Sequence, residues 1–107
     1  MFTRIVEVTS KAGKARELSR SVSDKVLSIL KIQPGFIDEI TLISEDDPNR
    51  IVAISFWKTK ENAEAYQREQ YARVTETIRN LIEGVPQVRT FEVDHSTVHK
   101  IASGKAA

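Results

Sequence analysis

Apolar residues change their period several times along the chain, and each change predicts an element. Residues 2–9 alternate and are rich in Ile and Val, with Arg4 and Glu7 interrupting, which predicts a strand with one face at least partly apolar. The period then lengthens. Ala15, Leu18, Val22, Val26, Ile29 and Ile32 recur at steps of three and four, the stripe of an amphipathic helix, and Pro34-Gly35 stops it. Residues 36–44 return to a strand, although Ile37, Ile40, Leu42 and Ile43 do not keep one parity and a bulge would reconcile them. A polar turn at residues 45–49 leads into the segment on which the chain is organised. There Ile51, Val52, Ala53, Ile54, Phe56 and Trp57 send apolar side chains to both faces of one strand, so it requires cover on both sides. Thr59 is placed to cap a second helix, with Glu61 in its first turn. Its inward stripe is Ala63, Tyr66, Tyr71, Val74, Ile78, Leu81 and Ile82, and a slip near Gln70 predicts a break there, with Gly84 and Pro86 as the stop. Residues 88–95 alternate again and form a fourth strand. Residues 98–107 are expected to be a tail in which Val98 and Ile101 either extend the strand or touch a partner, with disorder beyond Ser103.

The predicted order is strand, helix, strand, strand, helix, strand. Its halves echo one another: Ile29, Ile32 and Gly35 recur at a constant offset as Ile78, Leu81 and Gly84. Two split β-α-β units give an α+β, ferredoxin-like sandwich, a four-stranded antiparallel sheet with both helices on one face. The other face would then meet water although the central strand is apolar on that side too. A second copy packed sheet to sheet is the simplest cover, so a homodimer is expected.

Composition narrows the function. The chain has 107 residues, enough for one domain, taken here as residues 1–97. Sixteen basic and fifteen acidic residues leave a net charge of +1, which gives no general attraction to nucleic acid or to an anionic membrane. Cysteine is absent, which removes thiolate chemistry and disulfides and fits a reducing compartment. With no apolar leader and no run of membrane-spanning length, a cytoplasmic protein is expected. The excess of Lys11, Lys14, Arg16, Arg20 and Lys25 over Glu17 and Asp24 on the first helix reads as a solvated face. RNA-recognition domains share this element order, but the third strand here shows Val52 and Ile54 where stacking rings would stand, and it lacks glycine.

Pro34-Gly35-Phe36, the turn Glu45-Asp46-Asp47-Pro48, and the run from Ile54 through Trp57 to Asn62 together resemble the antibiotic biosynthesis monooxygenase family of dimeric α/β barrels, over roughly residues 2 to 95. The resemblance implies a dimer with a pocket in each subunit between sheet and helices. In some members it implies cofactor-free oxygenation of phenolic or quinone-like substrates. Trp57 stands where many members carry a pocket tryptophan. The histidines common in the second helix fall at Tyr66 and Tyr71 here. Positions matching the haem-degrading branch carry Val6 or Glu7 in place of its asparagine and Thr75 or Glu76 in place of its axial histidine, so haem chemistry is rejected.

Candidate chemistry follows from these residues. Tyr66 and Tyr71 are the catalytic candidates, since a phenol donates a proton or, with a lowered pKa, accepts one. Trp57, Ser55 and Ala53 are the substrate-binding candidates, with the indole either walling an aromatic pocket or serving as core. No cofactor is expected, because a phenolate can itself pass an electron to oxygen while the protein orients the ring and excludes water. His95 and His99 share a strand side near Asp94, a conceivable metal site, but surface histidines are the favoured reading. The alternative to a cofactor-free monooxygenase is a non-catalytic module that binds a small molecule on the same fold.

Overall fold

The computed structural model describes residues 1–98. Strands β1 (Phe2–Ser10), β2 (Phe36–Ile43), β3 (Arg50–Trp57) and β4 (Ile82–Glu92) form one antiparallel sheet in the order β2-β3-β1-β4. The helical segments cover one face, as expected for the ferredoxin-like sandwich. Residues 99–107, which include His99, Ile101 and the expected tail beyond Val98, lie outside the described residues.

The first helical stretch is not uniform. α1 (Ala15–Ser21) opens into a π-helical turn over Val22–Val26 and returns to α-helix in α2 (Leu27–Leu30). The buried residues Leu18, Val22, Val26 and Leu30 recur every four positions. A regular α-helix would rotate such a series by about 40° at each step. The wider π turn takes up that drift and keeps all four side chains over the sheet. The stripe expected to run on to Ile32 is therefore cut short: the helix ends at Leu30, and Ile32 lies outside it, 79% exposed. Gly35 then makes the reversal at φ +78° and accepts from the Lys58 amide at 2.8 Å. This left-handed turn favours a residue without a Cβ.

The second helical stretch follows the expected break. Thr59 caps α3 (Lys60–Glu69) by accepting from the Asn62 amide at 3.1 Å. Gln70 leaves helical geometry at φ −126°, and α4 (Tyr71–Ile78) begins on a new axis that keeps Tyr71, Val74 and Ile78 inward. The helix ends earlier than the sequence suggests. After a short 3-10 turn, β4 starts at Ile82, so Gly84 and Pro86 lie inside the strand and do not terminate a helix. They fit because β4 carries extra residues there: Thr9 pairs with Glu83 while Glu7 pairs with Gln87. A bulge accommodates both the positive φ of Gly84 and the missing proline amide.

Cross-strand pairing sets which side chains face the helices. Arg4, Ser55 and Glu39 form one row across β1, β3 and β2; Val6, Ala53 and Thr41 form the next; Phe2, Trp57 and Phe36 form the row at the other side. The irregularity expected in β2 is real, a register shift between Phe36 and Asp38 that brings Glu39 opposite Ser55. On the open face, Val52, Ile54 and Phe56 are half-buried by their neighbours, while Ile40, Leu42 and Phe91 are exposed. Trp57, Leu18 and Ile51 are the largest fully buried side chains, each contributing about 1.5–3 kcal/mol through removal from water. Among the described residues no helix is long and apolar enough to cross a membrane.

Candidate functional site

Between the helix-facing rows and the helices lies a cavity. Val6, Val8, Ile51 and Ala53 form its floor; Leu18, Val22, Val74 and Ile78 form its roof. The centres of water molecules have about 70 Å³ available in it. At roughly 10–15 Å³ per water on this measure, that is space for about five waters. Ordinary β-spacing and a four-residue helical stripe create the walls, and the polar row creates the chemistry.

Arg4 is the most unusual group of that row. It is only 3% exposed, and its Cζ stands 5.0 Å from the Tyr66 ring centroid and 4.7 Å from that of Tyr71. The guanidinium donates to Gln67 Oε1. The contacts with both ring faces are cation–π interactions. Among the described residues no carboxylate forms an ion pair with Arg4. Burial lowers its pKa, and the neighbouring tyrosines act in the opposite direction.

The two tyrosines differ in their partners. Burial pushes Tyr66 up to about 12, partly countered by Arg4, and pushes Tyr71 upward as well. Both are therefore phenols at neutral pH, proton donors and not bases. The Tyr71 hydroxyl is buried without a hydrogen-bond partner among the described residues. An orphaned donor beside an unpaired cation is a polar end that a ligand can satisfy.

Glu39 lines the same cavity from the other side of Ser55. Its carboxyl is raised above the ordinary range by burial first and by Asp38 as well, against the Thr41 hydroxyl, which donates to Glu39 Oε2 at 2.8 Å. A carboxyl on a cavity wall can exchange a proton with a molecule bound beside it.

Of the residues singled out in the sequence, Tyr66, Tyr71, Ser55 and Ala53 come together on this cavity. Trp57 does not line it. Its ring is fully buried, 5.1 Å from Tyr66 and 5.7 Å from Phe36 between centroids, and its indole N–H donates to Ser55 Oγ at 2.9 Å. The indole acts as a brace behind Ser55 and Tyr66, because β-alternation points it at the row beyond the cavity's end. His95 lies past the end of β4, exposed, with Nδ1 3.1 Å from Asp94 Oδ2. The fourth strand stops at Glu92, short of carrying it anywhere. No group of three metal-ligating side chains occurs among the described residues. Arg4 and Glu39 are the charged cavity-lining side chains that the sequence reading passes over. Arg4 shares the parity of inward-facing Val6 and Val8, which is a usable signal; Glu39 is hidden by the shift in β2.

The model of the antibiotic biosynthesis monooxygenase family matches residues 1–89. The chain belongs to that family. Among solved structures, SnoaB from Streptomyces nogalater, described as a cofactor-independent oxygenase, superimposes with a TM-score of 0.75 at 18% identity, covering 90% of this chain and 95% of that one. A candidate antibiotic biosynthesis monooxygenase from Nitrosomonas europaea gives 0.72 at 21% identity, with 87% and 98% covered. A protein described in the same way from Deinococcus radiodurans gives 0.75 at 9% identity, with 90% and 95% covered. These likenesses establish the shared fold. No curated protein matches the sequence.

Proposed function

We propose that this family member is a cofactor-independent monooxygenase acting on a small, single-ring phenol, and that it works as a homodimer. One observation carries the reading: a small apolar cavity ends in a row that holds a raised carboxyl, a hydroxyl and a buried guanidinium, with two protonated tyrosines above it. Family membership and the fold shared with SnoaB supply the reaction type.

In this mechanism Glu39 accepts the phenolic proton. The phenolate passes one electron to O2, and the resulting superoxide and ring radical combine at an unsubstituted ring carbon. Loss of water from the peroxide leaves a quinone, so that phenol and O2 become quinone and water. Ser55 accepts from the indole and retains its own O–H to donate, and Tyr66 donates to developing negative charge on oxygen. The apolar walls exclude water from the radical pair. Tyr66 and Tyr71 thus contribute as donors, and the base is Glu39.

The homodimer reading rests on the open face of the sheet, where Ile54 and Phe56 of the central strand lie among Ile40, Leu42 and Phe91. Exposed apolar side chains grouped on one sheet face suit a contact surface.

Oxygen uptake with a panel of single-ring phenols and hydroquinones tests the function. Consumption of one O2 per phenol, abolished or reduced at least tenfold in Glu39→Gln, is the expected result. If several members of the panel bind and none consumes oxygen, the protein is a small-molecule-binding module on the same fold.

A further inference from the structure

We infer that the ligand of this cavity carries a carboxylate, received by the Arg4 guanidinium and the Tyr71 hydroxyl. This rests on reading the cavity as the site for a phenolic ring and adds to it a permanent negative charge at the end opposite Glu39.

A buried cation is costly unless an opposite charge or several hydrogen bonds compensate it. Arg4 has little of either. Its guanidinium offers five N–H donors, and its hydrogen-bond partners, the Gln67 amide oxygen and the Tyr66 hydroxyl, are both neutral. The ring faces of Tyr66 and Tyr71 are also neutral, so the full positive charge persists beneath them. Glu39 does not serve as the counterion. Its carboxyl bonds Thr41, and it is held above the usual carboxylate range, opposite to the effect of a neighbouring guanidinium.

The Tyr71 hydroxyl is the second, independent sign. It is buried, protonated and without a partner among the described residues, on a residue whose ring Arg4 overlies at 4.7 Å. Fork-shaped guanidinium geometry plus one O–H donor matches a planar carboxylate, which takes two parallel N–H bonds and keeps a lone pair for the hydroxyl. A phenolate formed during turnover would not meet this need in the resting complex. A carboxylate, ionised at neutral pH, would.

The small cavity favours a small ligand, and the row assigns its ends. The carboxylate lies on Arg4, and the phenol faces Glu39 across Ser55. A hydroxybenzoate is the simplest molecule of this class.

Calorimetric titration of the full chain with 3-hydroxybenzoate and with its neutral isostere 3-hydroxybenzamide tests the inference. The acid is expected to bind wild type at least tenfold more tightly than the amide. In Arg4→Gln that ratio should fall to about one, with the acid losing much more affinity than the amide; in Arg4→Lys part of the preference should remain, and Tyr71→Phe should weaken the acid severalfold and the amide less. Equal binding of acid and amide to wild type, or an unchanged ratio in a folded Arg4→Gln, overturns it. Should Arg4→Gln fail to fold, the wild-type ratio and Arg4→Lys decide alone. Failure of both compounds to bind wild type removes the phenol-site reading and this inference with it. A charge-dependent preference without oxygen uptake upholds the carboxylate and removes only the oxygenase.

Discussion

The Trp57 indole N–H donates to Ser55 Oγ at 2.9 Å, so the chain's single tryptophan holds a cavity-lining hydroxyl in place without itself reaching the cavity. Removing the acceptor leaves a buried donor unpaired. Ser55→Ala is therefore expected to destabilise the fold by about 1–3 kcal/mol, measured as a lower urea midpoint at constant m-value. Trp57→Phe loses both donor and volume and costs a comparable amount. The double variant should cost clearly less than the sum of the two, since both break the same bond. Strict additivity would show that the bond carries no weight.

Gly35 and Gly84 are a matched pair for testing close approach against backbone conformation. Both have positive φ, at +78° and +68°. A Cβ on Gly35 would stand 2.2 Å from Asn62 Oδ1, whereas one on Gly84 meets nothing within 4 Å. Gly84→Ala should cost only the left-handed penalty, about 1–2 kcal/mol. Gly35→Ala should cost more, because Asn62 must also shift from the capping turn it makes with Thr59. Equal thermal shifts for the two variants would contradict this account.

Glu39 gives stability a pH dependence of known sign. Its folded-state pKa lies above the ordinary value of 4.5, so the folded state holds the proton more tightly than the unfolded one. Its contribution is fully present below 4.5 and is lost as pH rises through the raised folded value. Glu39→Gln removes that loss. Urea titrations between pH 4 and 7 should show the variant gaining on wild type as pH rises, and a constant difference would contradict the burial of this carboxyl.

Ile54 lies at the centre of the open apolar face, on β3 opposite Ile5 and Ile40. Wild type is expected to show twice the chain mass in light scattering at micromolar concentration, and Ile54→Lys should reduce it to a single chain without unfolding it. A single-chain mass for wild type ends the homodimer reading.

Features encoded by neighbouring residues are legible in the sequence. Thr59 caps the helix next to the strand that ends at Trp57, and the stripe slip at Gln70 is the observed break, because both signals lie within a turn or two of their effect. Breakers are less explicit. Gly84 and Pro86 announce a departure from regular structure, but a helix stop and a strand bulge use the same residues, and only pairing with β1 distinguishes them. The π turn fails to register for a similar reason: steps of four are compatible with an ordinary helix until packing on the sheet demands that all of them face inward. Arg4 is read as an interruption and Glu39 is not singled out, because charge ordinarily signals solvent. Their inward placement follows from parity at Val6 and Val8 in one case, and from a register shift visible only in the paired sheet in the other.

Arg4, Ser55 and Glu39 come from three neighbouring strands, and backbone hydrogen bonding fixes the interval between them at about 5 Å per step. The sheet is thus a ruler for whatever lies on it, graduated in units that no side-chain rotamer or loop insertion can stretch. Relatives built on the same scaffold would select longer or shorter molecules by moving a charged residue one graduation along, leaving the frame untouched.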